Sequence, residues 1–155
     1  MLGLVDRALI IAVDAHAGVR NKHDDSLYIQ HPLAVWRLCR DEGLGEIEQA
    51  IALIHDVPED SHWTIGDLTP WFQDEPMVLI GVEAITKRKG ESNEDYYHRV
   101  DGVPHAARVK LRDMHHNFMR NHLIEDEAKR ARMARKYSLG MDILGHHRSS
   151  VLPPA

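Results

Sequence analysis

Residues 50–60 read AIALIHDVPED, an apolar run that ends in a histidine, an aspartate, a proline and two further carboxylates. Ile47, Ala50, Ile51, Leu53 and Ile54 cover most of a helical surface, which predicts a central core helix over 47–54. Pro58 has no N–H, and its ring clashes with the carbonyl four residues back. The helix is therefore expected to stop near Asp56 or Val57, with Glu59 and Asp60 in a turn beside His55 and Asp56. Ionisable groups buried without partners cost several kcal/mol, so packing alone does not account for this ending. A bound metal ion is the first candidate for what compensates them.

Outward from this stretch, the hydrophobic periodicity points to helices almost everywhere. A first helix is expected from about Leu4 to Ala17, stopped by Gly18, and a polar loop, VRNKHDDSLYIQ, follows it. Pro32 opens the next helix, which carries Leu33, Val35, Trp36 and Leu38 to a stop at Gly43. Beyond the quoted stretch, Thr64 with Asp67 signals the start of a short helix closed by Pro70, and Pro76 precedes a helix over about 77–86. Ser92 or Asn93 caps a helix ended by Gly102 and Pro104, and two longer helices follow over roughly 105–122 and 125–144. The expectation is one all-α domain over 1–145 and a disordered tail over 146–155.

The chain has 155 residues, 43% hydrophobic and 28% charged, which suits a single folded domain. No apolar run approaches the roughly 20 residues needed to cross a bilayer. The opening MLGLVDRALIIAVDAHAG imitates a signal peptide at Ala15, His16 and Ala17. Asp6, Arg7 and Asp14 interrupt it, however, and it reads as a helix of the fold. Cys39, the single cysteine, forms no internal disulfide and suits a reducing, cytoplasmic setting. A net charge of −5 argues against nucleic-acid binding while leaving room for a small anion, for which TKRKG at 86–90 and ARVKLR at 107–112 are the densest cationic stretches. Solvated helix ends and faces would give the same runs.

On the helix HAARVKLRDMHHNFMR, Lys110, Asp113 and Asn117 recur at helical spacing, placing a cation, a carboxylate and an amide on one stripe. A solvated face would also read this way. The stripe gains meaning beside His31, which precedes Pro32, and His55 with Asp56 at the end of the core helix.

In this order HAGVRNK, YIQHPLAV, ALIHDVPED and VKLRDMHHN resemble the HD-domain phosphohydrolases, specifically the hydrolase domain of Rel-type alarmone enzymes and their small stand-alone relatives. The resemblance covers about residues 4–144. It implies an all-α HD-domain bundle in which His31, His55, Asp56 and Asp113 ligate one divalent metal, manganese in this branch. Two imidazoles and two carboxylates independently form a mixed N/O set suited to Mn²⁺, Fe²⁺ or Zn²⁺. Such an ion lowers the pKa of bound water and screens phosphate charge. Glu59 and Asp60 match the pair that would orient or deprotonate that water.

By the same resemblance Lys110 and Asn117 line a nucleotide pocket, and Asn21 and Lys22 stand in its first loop. Arg88 in ITKRKGESNEDYYHRV is a further phosphate candidate. His16 also matches a family position and reads as a hydrogen-bonded core residue. His115, His116, His146 and His147 match no ligand position and are expected on the surface or in the tail, while Trp36, Trp63, Trp71 and Phe72 read as packing. Two departures from the pattern stand out. Val19 and Asn21 replace a glutamine and an arginine, and that arginine helps hold guanine; Pro58 replaces an aliphatic residue.

The implied activity is metal-dependent removal of the 3′-diphosphate from guanosine tetra- or pentaphosphate, the nucleotides of the stringent response. The alternatives are a phosphatase for another nucleotide, such as NADPH, and a module that binds metal and nucleotide without turnover. In each case the partner is a small phosphorylated nucleotide rather than a nucleic acid or a membrane.

Overall fold

The computed structural model describes residues 1–150, with side chains described through 148. Among these residues it contains nine α-helices, three short 3-10 turns and no strand beyond one isolated antiparallel bridge between Arg20 and Leu27. The helices are α1 (Leu4–Ala15), α2 (Gln30–Asp41), α3 (Glu46–Ile54), α4 (Val57–Asp60), α5 (Ile65–Leu68), α6 (Pro76–Ile85), α7 (Asn93–Asp101), α8 (Pro104–Met119) and α9 (Glu127–Leu144). The fold is all-α, as the periodicity predicts.

The helix ends follow local chemistry. Thr64 and Asp67 form the expected reciprocal cap of α5, and the Ser92 hydroxyl accepts from the Asp95 amide at 3.0 Å to start α7. Gly18 and Gly43 adopt φ of +74° and +80°, a backbone that other residues resist, and they turn the chain after α1 and α2.

The reading of Pro58 needs correction. It does end α3, at Ile54, but it then occupies the first turn of a new one-turn helix, α4, where the missing N–H has no helical acceptor to lose. Glu59 and Asp60 thus ride on helix rather than on an open turn.

α3 is the axis of the bundle. Ala50, Ile51, Ala52, Leu53 and Ile54 are completely buried, and the helix packs against α1, α2, α6 and α8. Each buried Ile or Leu contributes about 1.5–3 kcal/mol, so the end of α3 that carries His55 is fixed in place. The approach of α6 is close enough to require Gly81. A Cβ there would overlap Ile51 Cδ1 and lie 3.0 Å from its Cγ1. One buried cluster extends from Ala8 to Leu144.

The tail expected from residue 146 begins differently. Gly145–Ser150 continue as a 3-10 turn after α9, and His147 is buried against Asp101. The remainder of that expectation, 151–155, lies outside the described residues. No helix among the described residues is long and apolar enough to cross a membrane.

Candidate metal centre and nucleotide cavity

Two helices and the junction between two others deliver the four candidate ligands. His31 comes from the first turn of α2, His55 and Asp56 from the two residues between α3 and α4, and Asp113 from the middle of α8. Ligating atoms of His31, His55 and Asp56 lie within 4.8 Å of one another. Asp113 Oδ1 is 2.8 Å from His31 Nε2 and 3.2 Å from His55 Nε2. Asp56 Oδ2 is 3.1 Å from His55 Nε2 and 3.7 Å from His31 Nε2.

The orientation of His55 tests whether this set fits a cation. Its Nδ1 lies 2.6 Å from the carbonyl of Ala52, which can only accept, so Nδ1 carries a proton. In the neutral ring Nε2 is then a bare lone pair facing two carboxylates, and only a proton or a cation between them makes that arrangement favourable. The electrostatics agree. Burial disfavours a charged ring, yet Asp56 and Asp113 hold His55 well above its usual range. Burial likewise opposes ionisation of the aspartates, but His55 holds Asp56 down at about 2, and Lys110 and His55 hold Asp113 well below its usual value. The residues fit a divalent ion.

Around this set lies a cavity of about 410 Å³ lined by Asn21, Tyr28, His31, Asp56, Lys110, Asp113 and Asn117. Lys110 Nζ lies 2.8 Å from Asp113 Oδ2, and Asn117 Nδ2 donates to Asp113 Oδ1 at 3.1 Å. The α8 stripe therefore faces the site rather than forming a solvated surface. Burial works against the Lys110 charge, but Asp113 keeps its pKa well above the ordinary value.

The other expected residues are placed less uniformly. Asp60 is linked to the site by the Tyr28 hydroxyl at 3.4 Å, and burial, Asp56 and Glu59 raise its pKa. Glu59 is exposed and accepts from the Lys87 amide at 2.6 Å. Asn21 lines the cavity but its amide is tied to Ser26 Oγ at 3.1 Å. Lys22 and Arg88 are exposed and do not line it. Of the aromatics read as packing, Phe72 is fully buried, the Trp63 and Trp71 rings meet edge-on at 6.0 Å, and Trp36 donates to Gln49 at 3.1 Å.

Several groups were not foreseen. The Tyr28 hydroxyl donates to Asp56 Oδ2, and burial with Asp56 keeps it protonated. His116, expected on the surface, is half-buried with its Nδ1 2.7 Å from Nδ1 of His31. His16 is buried against the Tyr28 ring at 4.9 Å, but neither ring nitrogen has a hydrogen-bond partner among the described residues, contrary to the expected bonded core residue.

A further part of the cavity wall comes from α9, with Lys129, Met133, Lys136 and Tyr137. Lys136 forms no hydrogen bond or ion pair among the described residues, and burial with the charges of Lys110 and Lys87 lowers its pKa. A positive side chain so placed is satisfied best by an anion in the cavity. No sequence pattern marked this wall, because the sequence of α9 reads only as a long helix with charges spread along it.

No family model matches the chain. It is 31% identical over 144 residues to a probable GTP pyrophosphokinase of Mycobacterium leprae, covering 87% of the chain and 18% of the relative. It is 40% identical over 84 residues to a probable guanosine-3′,5′-bis(diphosphate) 3′-pyrophosphohydrolase of Synechocystis, covering 54% and 11%. It is also 33% identical over 137 residues to a GTP pyrophosphokinase of Streptomyces coelicolor, covering 83% and 16%. The chain thus spans less than a fifth of each of these proteins. Among solved structures, a metazoan SpoT ortholog described as hydrolysing ppGpp superposes with a TM-score of 0.81 at 20% identity, covering 97% of this chain and 90% of that one.

Proposed function

The chain is similar over most of its length to one segment of the Rel- and SpoT-type alarmone enzymes, and from that premise we propose that it is a metal-dependent guanosine 3′,5′-bis(diphosphate) 3′-diphosphatase. The observation that carries this reading is the convergence of His31, His55, Asp56 and Asp113 beside a cavity whose walls present Lys110 and Lys136. The ion these residues would hold, Mn²⁺ in this proposal, supplies Lewis acidity toward a phosphate and lowers the pKa of water.

The chain's own groups account for the rest. Lys110 and Lys136 draw the phosphates into the cavity, and Asn117 offers an amide to ribose or phosphate oxygens. Tyr28 orients Asp56 by donating to Oδ2, the oxygen that also lies nearest the His31 and His55 imidazoles. Asp60, its pKa raised by burial and neighbouring carboxylates, takes the proton of the attacking water, with Glu59 beside it. Attack at the 3′-phosphorus breaks its bond to the ribose 3′-oxygen, which takes up a proton. The products are the guanosine 5′-diphosphate and free diphosphate. The proposed setting is the cytoplasm, where a reduced Cys39 is at home.

One observation favours a second substrate. Asn21 stands where the resemblance implies a guanine-holding arginine, and Ser26 restrains its amide, so the first loop presents no guanidinium to a base. The 2′-phosphate of NADPH is then the competing target. The test is turnover of a nucleotide panel by metal-stripped protein resupplied with Mn²⁺, with phosphate and diphosphate release followed separately. Manganese-dependent diphosphate release from guanosine tetraphosphate is expected, and phosphate release from NADPH alone would transfer the assignment. No turnover of any compound by metal-loaded protein would leave a binding module.

A further inference from the structure

Away from the cavity, the turn after α9 lays His146 and His147 onto Asp101, the last residue of α7. Nε2 of His146 lies 2.5 Å and Nε2 of His147 2.9 Å from the same carboxylate oxygen, Oδ1. The two rings are 4.0 Å apart, and the three ligating atoms fall within 4.8 Å of one another. Two adjacent imidazoles thus aim the same ring nitrogen at one point.

The carboxylate they meet is poorly placed without a cation. The last carbonyls of a helix carry partial negative charge, so an aspartate as the final residue of α7 is repelled by its own backbone. Hydrogen bonds from two imidazoles relieve this in part, and a metal ion would relieve it fully.

We propose that Asp101, His146 and His147 form a second metal site, for a borderline divalent transition ion such as zinc, that clasps the turn after α9 to the end of α7. Two imidazoles and one carboxylate select for Zn²⁺, Co²⁺, Ni²⁺ or Cu²⁺ over Mg²⁺ and Ca²⁺, which take oxygen ligands. Tetrahedral zinc at about 2.0–2.1 Å separates its ligand atoms by about 3.3 Å, so the present contacts must open by less than about 1 Å. His146 and Asp101 have the freedom to do so, with side chains 63% and 33% exposed. His147 supplies a fixed point at 10% exposure, and water completes the coordination. None of the three residues lines the nucleotide cavity.

The test is a titration of metal-stripped, tag-free full chain with Zn²⁺, and with Co²⁺ as an optical probe, alongside His146→Ala and Asp101→Asn. The first removes an exposed ring and the second is nearly isosteric, and helix content by circular dichroism verifies that each is folded. Both variants are expected to bind one equivalent fewer than the native chain and to show a smaller zinc-dependent rise in melting temperature. Release of diphosphate or phosphate should be unchanged to within about twofold. Equal stoichiometry and affinity in the native chain and either variant would overturn the proposal.

Discussion

His31 and His116 meet nitrogen to nitrogen, Nδ1 to Nδ1 at 2.7 Å, so one of the two must carry the proton between them. Because His31 Nε2 faces Asp113 and the candidate ion, it must be bare when metal binds, which places the His31 proton on Nδ1 and makes His116 the acceptor. Burial and His31 push His116 down to about 4, so it is neutral and able to accept at physiological pH.

His116→Ala should therefore free the His31 ring and weaken metal binding by about 10- to 100-fold. His116→Asn, whose carbonyl can accept, should recover part of the loss. Metal titration measures both, and unchanged affinity in the alanine variant would mean that Asp113 and packing alone fix the ring.

Removing Asp113 should do two things at once. Asp113→Ala deletes a candidate ligand and leaves the mostly buried Lys110 ammonium without its carboxylate, a loss of about 3–5 kcal/mol when a buried pair is broken. Asp113→Asn keeps a polar group there and should cost less. Urea denaturation of metal-free protein isolates the stability effect from metal loss, and equal midpoints for the native protein and both variants would rule out a structural role for the pair.

Lys136 should affect substrate capture more than metal binding. Lys136→Met keeps the length of the side chain and removes a charge held for an anion, so KM should rise about tenfold, the cost of one charge-assisted contact. Metal affinity should be unchanged. An unaltered KM would place the phosphates nearer Lys110.

Acid sensitivity can be assigned to one bond set. Glu91 accepts from Arg99 at 2.8 Å and 3.0 Å and from the Arg88 amide at 3.0 Å, and Arg99 also donates to the carbonyls of Ala84 and Thr86. The Arg99 bonds lead in holding the Glu91 carboxyl down at about 2, against an ordinary 4.5. A folded value below the unfolded one stabilises fully above about pH 4.5 and is lost as pH falls toward 2. The difference in stability between the native protein and Glu91→Gln should accordingly hold steady at neutral pH and shrink across that window. A difference independent of pH would show that the charge is not what stabilises the loop.

The α3–α6 crossing permits a simpler test. Gly81→Ala should force Ile51 out of its packed position and cost about 1–3 kcal/mol, read as a lowered melting temperature. No change would require α6 to shift without penalty.

What the sequence revealed and concealed follows from the range of each interaction. The caps at Thr64 and Ser92, the stops at Gly18 and Gly43 and the core face of α3 are local, and they were legible. His31, His55, Asp56 and Asp113 were legible because the residue types and the ordered motifs are unusual together. Tyr28, His116 and the α9 wall depend on contacts between helices distant along the chain, and a tyrosine in a polar loop or a lysine on a mixed helix carries no mark of them. Pro58 was legible as a break but not as a new start, since a proline fits both the end of one helix and the first turn of the next.

The attachment of α9 has a mechanical meaning. Its buried residues, Gly140 and Leu144, lie in its last turns, and a Cβ on Gly140 would overlap Met114 Cε and lie 3.0 Å from Tyr97 Cζ. The stretch that carries Lys129, Met133 and Lys136 has no buried side chain, whereas His55 directly follows the completely buried residues 50–54 of α3. The molecule is thus a vise with one jaw cast into the bench and the other held only at its far end. Local opening of a segment with so little buried surface costs less free energy than melting the bundle.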